Sequence, residues 1–337
     1  MLATSPYRQD RSSQGSHPRV SVVAPSYQRR HDLPRFIDSV LGQSDLHELV
    51  VAVDGSRDGS VGWLRKRRLL DQRLTVLDLP NRGAGPARRS GIEAATGEII
   101  LLLDDDVIAT PGMVSGHRRH HDELEPKLVM GYMPNHWRRL PPGRRGIAYI
   151  YRRAYEQHCV QFAADPRFIL HGLWGGNFSM PRVDFLRVGI QGLAVRRGQD
   201  DREFGLRCAK AGIRAMFDRR LLGEHLYERD LPSFRRDCRL QGESRKLIHD
   251  LHADVLGDRL RADPHPSHVA DAVGLGIPRS LRWAWPLVAR EPLLTPALAV
   301  LKTAFGAGVQ IGHLGLEVQA ARAIGSLETM RGVLDRS

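Results

Sequence analysis

The sequence predicts an α/β protein with a mostly parallel central sheet flanked by helices and a helical C-terminal extension. Three observations carry this expectation. Short aliphatic runs alternate with segments of helical apolar spacing from Val20 to Leu103, the pattern of right-handed βαβ units. Each early run stops at Pro, Gly, Asn or Asp, as strand ends do. The run Ile99-Ile100-Leu101-Leu102-Leu103 reads as a fully buried strand and leads directly into Asp104, Asp105 and Asp106. Open α/β sheets bind ligands at such carboxyl ends.

Taken in order, residues 1–18 are polar and read as a disordered lead. Val20 to Ala24 is a β-branched first strand closed by Pro25-Ser26-Tyr27. Leu33, Phe36, Ile37, Val40 and Leu41 then share one helix face. Leu49 to Val53 is a second strand ending in Asp54-Gly55-Ser56, and Ser60 can cap the helix that follows. Leu74 to Asp78 is a third strand, and a helix from about Pro86 to Ala95 follows Asn81-Arg82-Gly83-Ala84-Gly85, with Pro in its first turn. Beyond the triple aspartate, Val129 to Tyr132 reads as a strand. Residues 134–165 are rich in Arg and Pro, and part of this stretch is expected to be a mobile loop. Phe204 to Ala211 is a helix stopped by Gly212, and Arg235 to Lys246 is a basic helical stretch. The expected divisions are the lead at 1–18, a catalytic domain at 19–255, a linker at 256–280 and the helical extension at 281–337.

The formal charge is +12, mostly from arginine, which favours an anionic partner without choosing among nucleotide, nucleic acid and acidic lipid. The three cysteines, Cys159, Cys208 and Cys238, are far apart and lack CxxC spacing, so neither a disulfide framework nor a structural zinc site is expected. No apolar signal segment opens the chain and no run of 18 uncharged apolar residues occurs, so the expected location is cytoplasmic. Residues 83–88 match G-x-G-x-x-R but follow the third strand and lack the third glycine of a dinucleotide fingerprint, and no P-loop occurs. His117, His120 and His121 share a helix face with Arg118 and Arg119 between them; a solvated basic face is the expected reading, as it is for His265 and His268.

Two acidic groups point to chemistry. Three adjacent carboxylates at 104–106 repel one another unless a cation sits among them, and a divalent metal bridging a diphosphate is a reason to build such a cluster. Asp200, Asp201 and Glu203 crowd the first turn of a helix. The helix dipole favours them there, and one of them can also serve as a proton acceptor.

The order of motifs resembles the family 2 glycosyltransferases, with the GT-A fold. Val20 to Tyr27 resembles the family's first strand and its P-S-Y ending. Val53 to Ser60 resembles V-D-D-G-S-x-D-G-S with one aspartate of the pair missing. Asn81 through Gly91, Ala95, Gly97 and Asp104 to Asp106 resemble the segment that ends in D-x-D, with Arg89 in place of the second asparagine. Gly175, Gly176 and Asn177 resemble the segment on the acceptor side, and Asp200-Asp201-x-Glu203 with Arg207 resembles E-D-x-E…R, with Asp200 replacing the glutamate. The resemblance implies that Pro25, Tyr27, Asp54, Arg88, Asp104 and Asp105 bind the nucleotide-sugar, with Tyr27 against the base and Asp54 on its imide edge. Asp106 would be the direct ligand of Mg²⁺ or Mn²⁺, with His225 as a further metal contact. Asp201 would be the general base, with Asp200 and Glu203 beside it on the acceptor side.

The implied reaction is metal-dependent, inverting transfer of a sugar from a nucleotide-sugar, UDP foremost, to a hydroxyl of a glycan, a lipid-linked acceptor or a small molecule. A sugar nucleotidyltransferase is one alternative, but it needs a Gly-rich loop where Pro25-Ser26-Tyr27 stands. A basic nucleic-acid-binding protein is another. No nucleic-acid signature accompanies the charge, and acidic strand ends repel phosphates, so nucleic acid is not the expected partner. In the tail, Pro292 to Leu316 with Arg279, Arg282, Trp283, Trp285 and Arg290 nearby is expected to pack as helices. A peripheral contact with an anionic membrane is the alternative reading.

Overall fold

A computed structural model describes residues 17–123, 125–190, 199–256, 288, 290 and 292–335. Most of the expected lead, residues 257–280 of the expected linker, His265, His268, Trp283 and Trp285 lie outside these residues. The described residues divide into two units. One draws on Met1–Pro134, Cys159–Gly192 and Asp200–Leu226, and the other on Asn135–His158, Leu193–Gln199 and Tyr227–Ser337.

The first unit holds an eight-stranded sheet. Its strands are β1 (Val20–Ser26), β2 (Leu46–Asp54), β3 (Leu74–Leu79), β4 (Ile99–Leu103), β5 (Val107–Ala109), β6 (Lys127–Tyr132), β7 (Asn177–Pro181) and β8 (Arg214–His225), in the order β3-β2-β1-β4-β7-β6-β8-β5. The pairs β2–β3, β1–β2 and β1–β4 are parallel. Strand β7 then runs antiparallel to both β4 and β6, β8 is parallel to β6, and β5 is antiparallel to β8. The half predicted from the aliphatic runs is thus parallel and the other half mixed. Strands β1 and β4 lie inside the sheet, and the side chains of Val20, Val22, Val23 and Ile99 to Leu103 are buried. Both faces of such a strand are covered, so it carries an unbroken aliphatic run.

Helices α1 (Leu33–Leu41), α2 (Ser60–Arg68), α3 (Ala84–Ala94) and α4 (Met113–Arg119) connect or flank these strands. Helix α1 buries Leu33, Phe36, Ile37, Val40 and Leu41, the spacing seen in the sequence. Next come α5 (Arg145–Ala164), α6 (Arg167–His171), α7 (Arg182–Val188) and α8 (Asp200–Lys210). Helix α5 corrects the expectation of a partly mobile loop over 134–165. Its apolar positions, among them Ile147, Ala148, Tyr155, Cys159 and Phe162, are buried, and the arginines that obscured this pattern are good helix formers.

In the second unit, α9 (Leu231–Leu251), α10 (Ala253–Leu256), α11 (Leu294–Gln310) and α12 (Leu314–Leu334) complete the chain. Asp230 caps α9 through the Ser233 N–H at 2.9 Å. Ile147, Leu294, Leu298, Phe305, Ile324 and Leu327 form a buried cluster against which Tyr227, Leu231 and Phe234 pack. Glu317 is buried, and its Oε1 accepts the Gly146 N–H at 2.7 Å. Among the described residues, no helix is long and apolar enough to cross a membrane.

Candidate active site

All expected site residues fall in the first unit: Pro25, Tyr27, Asp54 and Asp104 to Asp106 at the carboxyl ends of its parallel strands, Arg88 on α3, Gly175, Gly176 and Asn177 at the start of the antiparallel β7, Asp200, Asp201 and Glu203 on α8, and His225 at the end of β8. Pro25 lies in β1, and Tyr27, 39% exposed, follows it directly. Asp54 is the last residue of β2. Its two carboxylate oxygens accept the N–H groups of Arg82 and Gly83 at 2.7 and 2.9 Å, while Asn81 Nδ2 donates to its carbonyl at 3.1 Å. The start of α3 is thereby pinned to the end of β2.

Helix α3 lies hard against β1. A Cβ on Gly91 would stand 2.4 Å from Val23 Cγ1, so only glycine permits this approach. Arg88 is three residues earlier on the same helix face, and its guanidinium donates to Asp104 Oδ1 at 2.7 Å. Burial opposes the Arg88 charge, but the adjacent Asp104 outweighs it and holds the group above its ordinary value; Asp201 and Asp200 act in the same direction. Arg88 therefore sits within electrostatic reach of both acidic groups.

The glycine pair joins the same two groups. Gly175 N–H donates to Asp201 Oδ2 at 2.7 Å, and Gly176 O accepts the Asp104 N–H at 3.1 Å. Gly176 has φ +137°, and a Cβ there would lie 2.9 Å from Asp104 Oδ2, so both the backbone and the space require glycine. Asp201, in the first turn of α8, also accepts the Arg202 N–H at 2.9 Å. The surrounding protein pushes its pKa above the usual carboxylate range, opposed by the Gly175 N–H and by Arg88. Asp200 acts on Arg88. Glu203 instead pairs with Arg207 one turn along α8, at 3.0 Å.

The three aspartates after β4 diverge. Asp104 turns to Arg88, whereas Asp105 and Asp106 are buried and meet Arg29. Arg29 reaches Asp106 Oδ2 at 2.7 Å and Asp105 Oδ1 at 3.7 Å. Burial, and then the charge of Asp106, push the Asp105 carboxyl up to about 7. Asp105 Oδ2 is buried and has no hydrogen-bond partner among the described residues. His225, at the end of β8, places Nε2 3.4 Å from Asp106 Oδ1.

These residues fit a divalent cation held in part by substrate. Among the described residues no three His, Cys, Asp or Glu side chains converge into a ready cage. Mg²⁺ commonly binds through one or two carboxylates and completes its shell with substrate phosphates and water. Two ligands about 2.1 Å from one ion at right angles lie about 3.0 Å apart, and the 3.4 Å between Asp106 and His225 is close to that. The orphaned Asp105 oxygen adds an acceptor beside the pair.

Asn177, expected on the acceptor side, is buried in β7. Its Nδ2 donates to Leu221 O at 3.0 Å, so its Oδ1 is the acceptor for His117 Nε2 at 3.0 Å. His117 Nδ1 then accepts from the Ser179 hydroxyl at 2.8 Å, and Ser179 Oγ accepts from His121 Nε2 at 2.9 Å. The single donor on each imidazole fixes this polarity. Burial drives the pKa of His117 down to about 4 and of His121 to about 3. Both are neutral members of a buried chain behind the glycine pair, which corrects the expected solvated basic face. Of the three histidines, His120 pairs with Asp218, at 2.9 Å. Sequence spacing does not show which helix face meets a sheet, so the burial of His117 and His121 is not legible in it. Arg29 was missed, although its place just past the first strand end was a usable signal.

A sheet of this order, with carboxylates at its strand ends, has the GT-A-like fold. The mannosyltransferase PcManGT of Pyrobaculum calidifontis, solved with GDP-Man and Mn²⁺, shares the fold with a TM-score of 0.55 at 16% identity, covering 96% of this chain and 89% of that one. Residues 21–180 match the family described as Glycosyl transferase family 2. A putative teichuronic acid biosynthesis glycosyltransferase of Bacillus subtilis, TuaG, is 38% identical over 91 residues, 26% of this chain and 36% of that protein. The glycosyltransferase GlyG of Streptococcus pneumoniae is 30% identical over 119 residues, 35% of this chain and 40% of that protein. The chain thus spans little more than a third of the length of these curated relatives.

Proposed function

We propose that the chain transfers a sugar from a nucleotide-sugar, UDP-linked foremost, to an acceptor hydroxyl of a glycan, a lipid-linked carrier or a small molecule, with inversion at the anomeric carbon. The observation that carries this reading is the double link between the acidic groups. Arg88 pairs with Asp104 and acts on Asp201, and the adjacent Gly175 and Gly176 contact Asp201 and Asp104 in turn. Charge neutralisation and proton removal then operate on one substrate. The fold shared with PcManGT, solved with GDP-Man and Mn²⁺, supports a nucleotide-sugar and a divalent cation here.

In this reading Asp106 and His225 hold Mg²⁺ or Mn²⁺, which when bound neutralises charge developing on the diphosphate leaving group. Asp201 accepts the proton of the acceptor hydroxyl as its oxygen bonds to the anomeric carbon and the bond to the diphosphate breaks, an effect worth roughly 10²–10⁴-fold. Two N–H donors and the Arg88 charge keep Asp201 available as an anion against the desolvation that raises its pKa. Arg88 holds Asp104 in place. Tyr27 and Pro25 lie at the end of β1 where the nucleotide crosses the sheet, and Asp54 shapes the loop beside it. The expected setting is cytoplasmic, with the C-terminal helices either packed or resting on an anionic membrane.

Thermal unfolding in the presence of UDP, GDP or dTDP, with and without Mn²⁺, tests this reading. A ligand at one hundred times its dissociation constant stabilises by about 2.7 kcal/mol. The expected result is stabilisation by one nucleotide that requires Mn²⁺ and is abolished by Asp106→Ala. Absence of any Mn²⁺-dependent increment with all three nucleotides overturns the assignment.

A further inference from the structure

Arg29 occupies an unusual position for a residue at a helix start. Its carbonyl accepts the N–H groups of Asp32 and Leu33, so its backbone opens α1. Its side chain, however, extends to the carboxylates after β4. The preceding Gln28 adopts φ +55°, a left-handed conformation that non-glycine residues adopt at a cost. The Ser56 hydroxyl accepts the Gln28 N–H at 2.9 Å, which helps hold the turn. The strained turn aims a guanidinium at three carboxylates: Asp106 at 2.7 Å, Asp32 at 3.2 Å and Asp105 at 3.7 Å. Burial opposes the Arg29 charge, but Asp106 and Asp105 outweigh it and keep the group firmly cationic. The carboxylate that the fold offers to a divalent cation is therefore already answered by a fixed positive charge.

We propose that Arg29 is the resident counter-charge of the cation site and makes cation binding conditional on a nucleoside diphosphate. This inference rests on the metal-dependent reading above. While Arg29 holds Asp106, a lone divalent cation must displace a guanidinium and then sit beside it, and both requirements weaken its binding. A nucleoside diphosphate removes both obstacles. Its phosphate oxygens complete the cation's shell, and they also take up the planar donor fork that Asp106 gives up, since guanidinium matches phosphate as well as it matches carboxylate. Arg29 thus passes from a carboxylate to the diphosphate, and the site fills with donor and cation together.

Titration of Mn²⁺, with the free ion followed by electron paramagnetic resonance, tests this in the wild type, Arg29→Met, Arg29→Lys and Asp106→Ala. Methionine keeps most of the apolar stem and removes the charge. The expected result without nucleotide is that Arg29→Met binds Mn²⁺ at least about tenfold more tightly than wild type, because a positive charge within a few ångströms of the ion is gone. Arg29→Lys keeps a charge and should stay as weak as wild type. With UDP or GDP present, wild type should gain Mn²⁺ affinity by a larger factor than Arg29→Met does. If Arg29→Met binds Mn²⁺ alone no more tightly than wild type, or Arg29→Lys tightens as much as Arg29→Met, the counter-charge role is overturned while the metal-dependent reading stands. If wild type with either nucleotide binds no more Mn²⁺ than Asp106→Ala, the metal-dependent reading itself falls and the role of Arg29 falls with it.

Discussion

His117 offers a test in which the expected magnitude follows from its surroundings. It is fully buried between Asn177 and Ser179, and burial lowers its pKa from 6.5 to about 4. The unfolded chain takes up a proton below pH 6.5 that the folded chain refuses until about pH 4. Stability carried by this residue is therefore fully present above pH 6.5 and is lost as the pH falls toward 4. Integrating the linkage between these values gives a loss of about 2 kcal/mol between pH 7 and pH 5. His117→Gln can still donate to Asn177 and accept from Ser179, and it has no proton to take up. Urea unfolding of both proteins at pH 7 and pH 5 measures the difference directly. Wild type should lose about 2 kcal/mol more than His117→Gln over that interval, whatever the variant costs at pH 7. His121, also held low by burial, contributes a pH-dependent loss in both proteins. Equal losses in the two proteins would refute the account of His117 as a neutral, buried link.

Three further outcomes follow from the geometry of the site. Asp201→Asn should retain Mn²⁺-dependent nucleotide stabilisation and lose turnover by roughly 10²–10⁴-fold; near-normal turnover would remove Asp201 from the role of base. In the wild type, the raised pKa of Asp201 predicts that kcat/KM falls on the acid side at a pH above the ordinary carboxylate range, and a pH–rate profile reads this. Gly91→Ala inserts a Cβ 2.4 Å from Val23 Cγ1. It should cost about 1–3 kcal/mol by overpacking, visible as a lower denaturant midpoint, and it should weaken nucleotide binding because Arg88 rides on the same helix face.

The parallel half of the sheet was legible because burial on both faces leaves a local mark. Ile99 to Leu103 can only be a core strand, and Leu33, Phe36, Ile37, Val40 and Leu41 can only be one helix face. Helix α5 was illegible for the opposite reason: its arginines and tyrosines, with long side chains of mixed character, blur the period that Ile147, Ala148, Tyr155, Cys159 and Phe162 keep. The two carboxylate groups could be found because like charges crowded at a strand end and at a helix start need a physical reason. Their connection could not, since it depends on where Arg88 and the Gly175–Gly176 pair lie in space.

The linear chain alone determined the alternation of strand and helix, the strand ends that would carry Tyr27, Asp54 and Asp104, and the two acidic clusters, because periodicity and charge crowding are local properties. Only the tertiary structure decided that Asp105 and Asp106 turn to Arg29 while Asp104 turns to Arg88, that His117 and His121 are buried and neutral, and that Asn177 faces inward. Those outcomes depend on which residues remote in sequence share a low-dielectric volume. There each charge and each hydrogen-bond donor must find a partner, and the partners are set by how helices seat on the sheet.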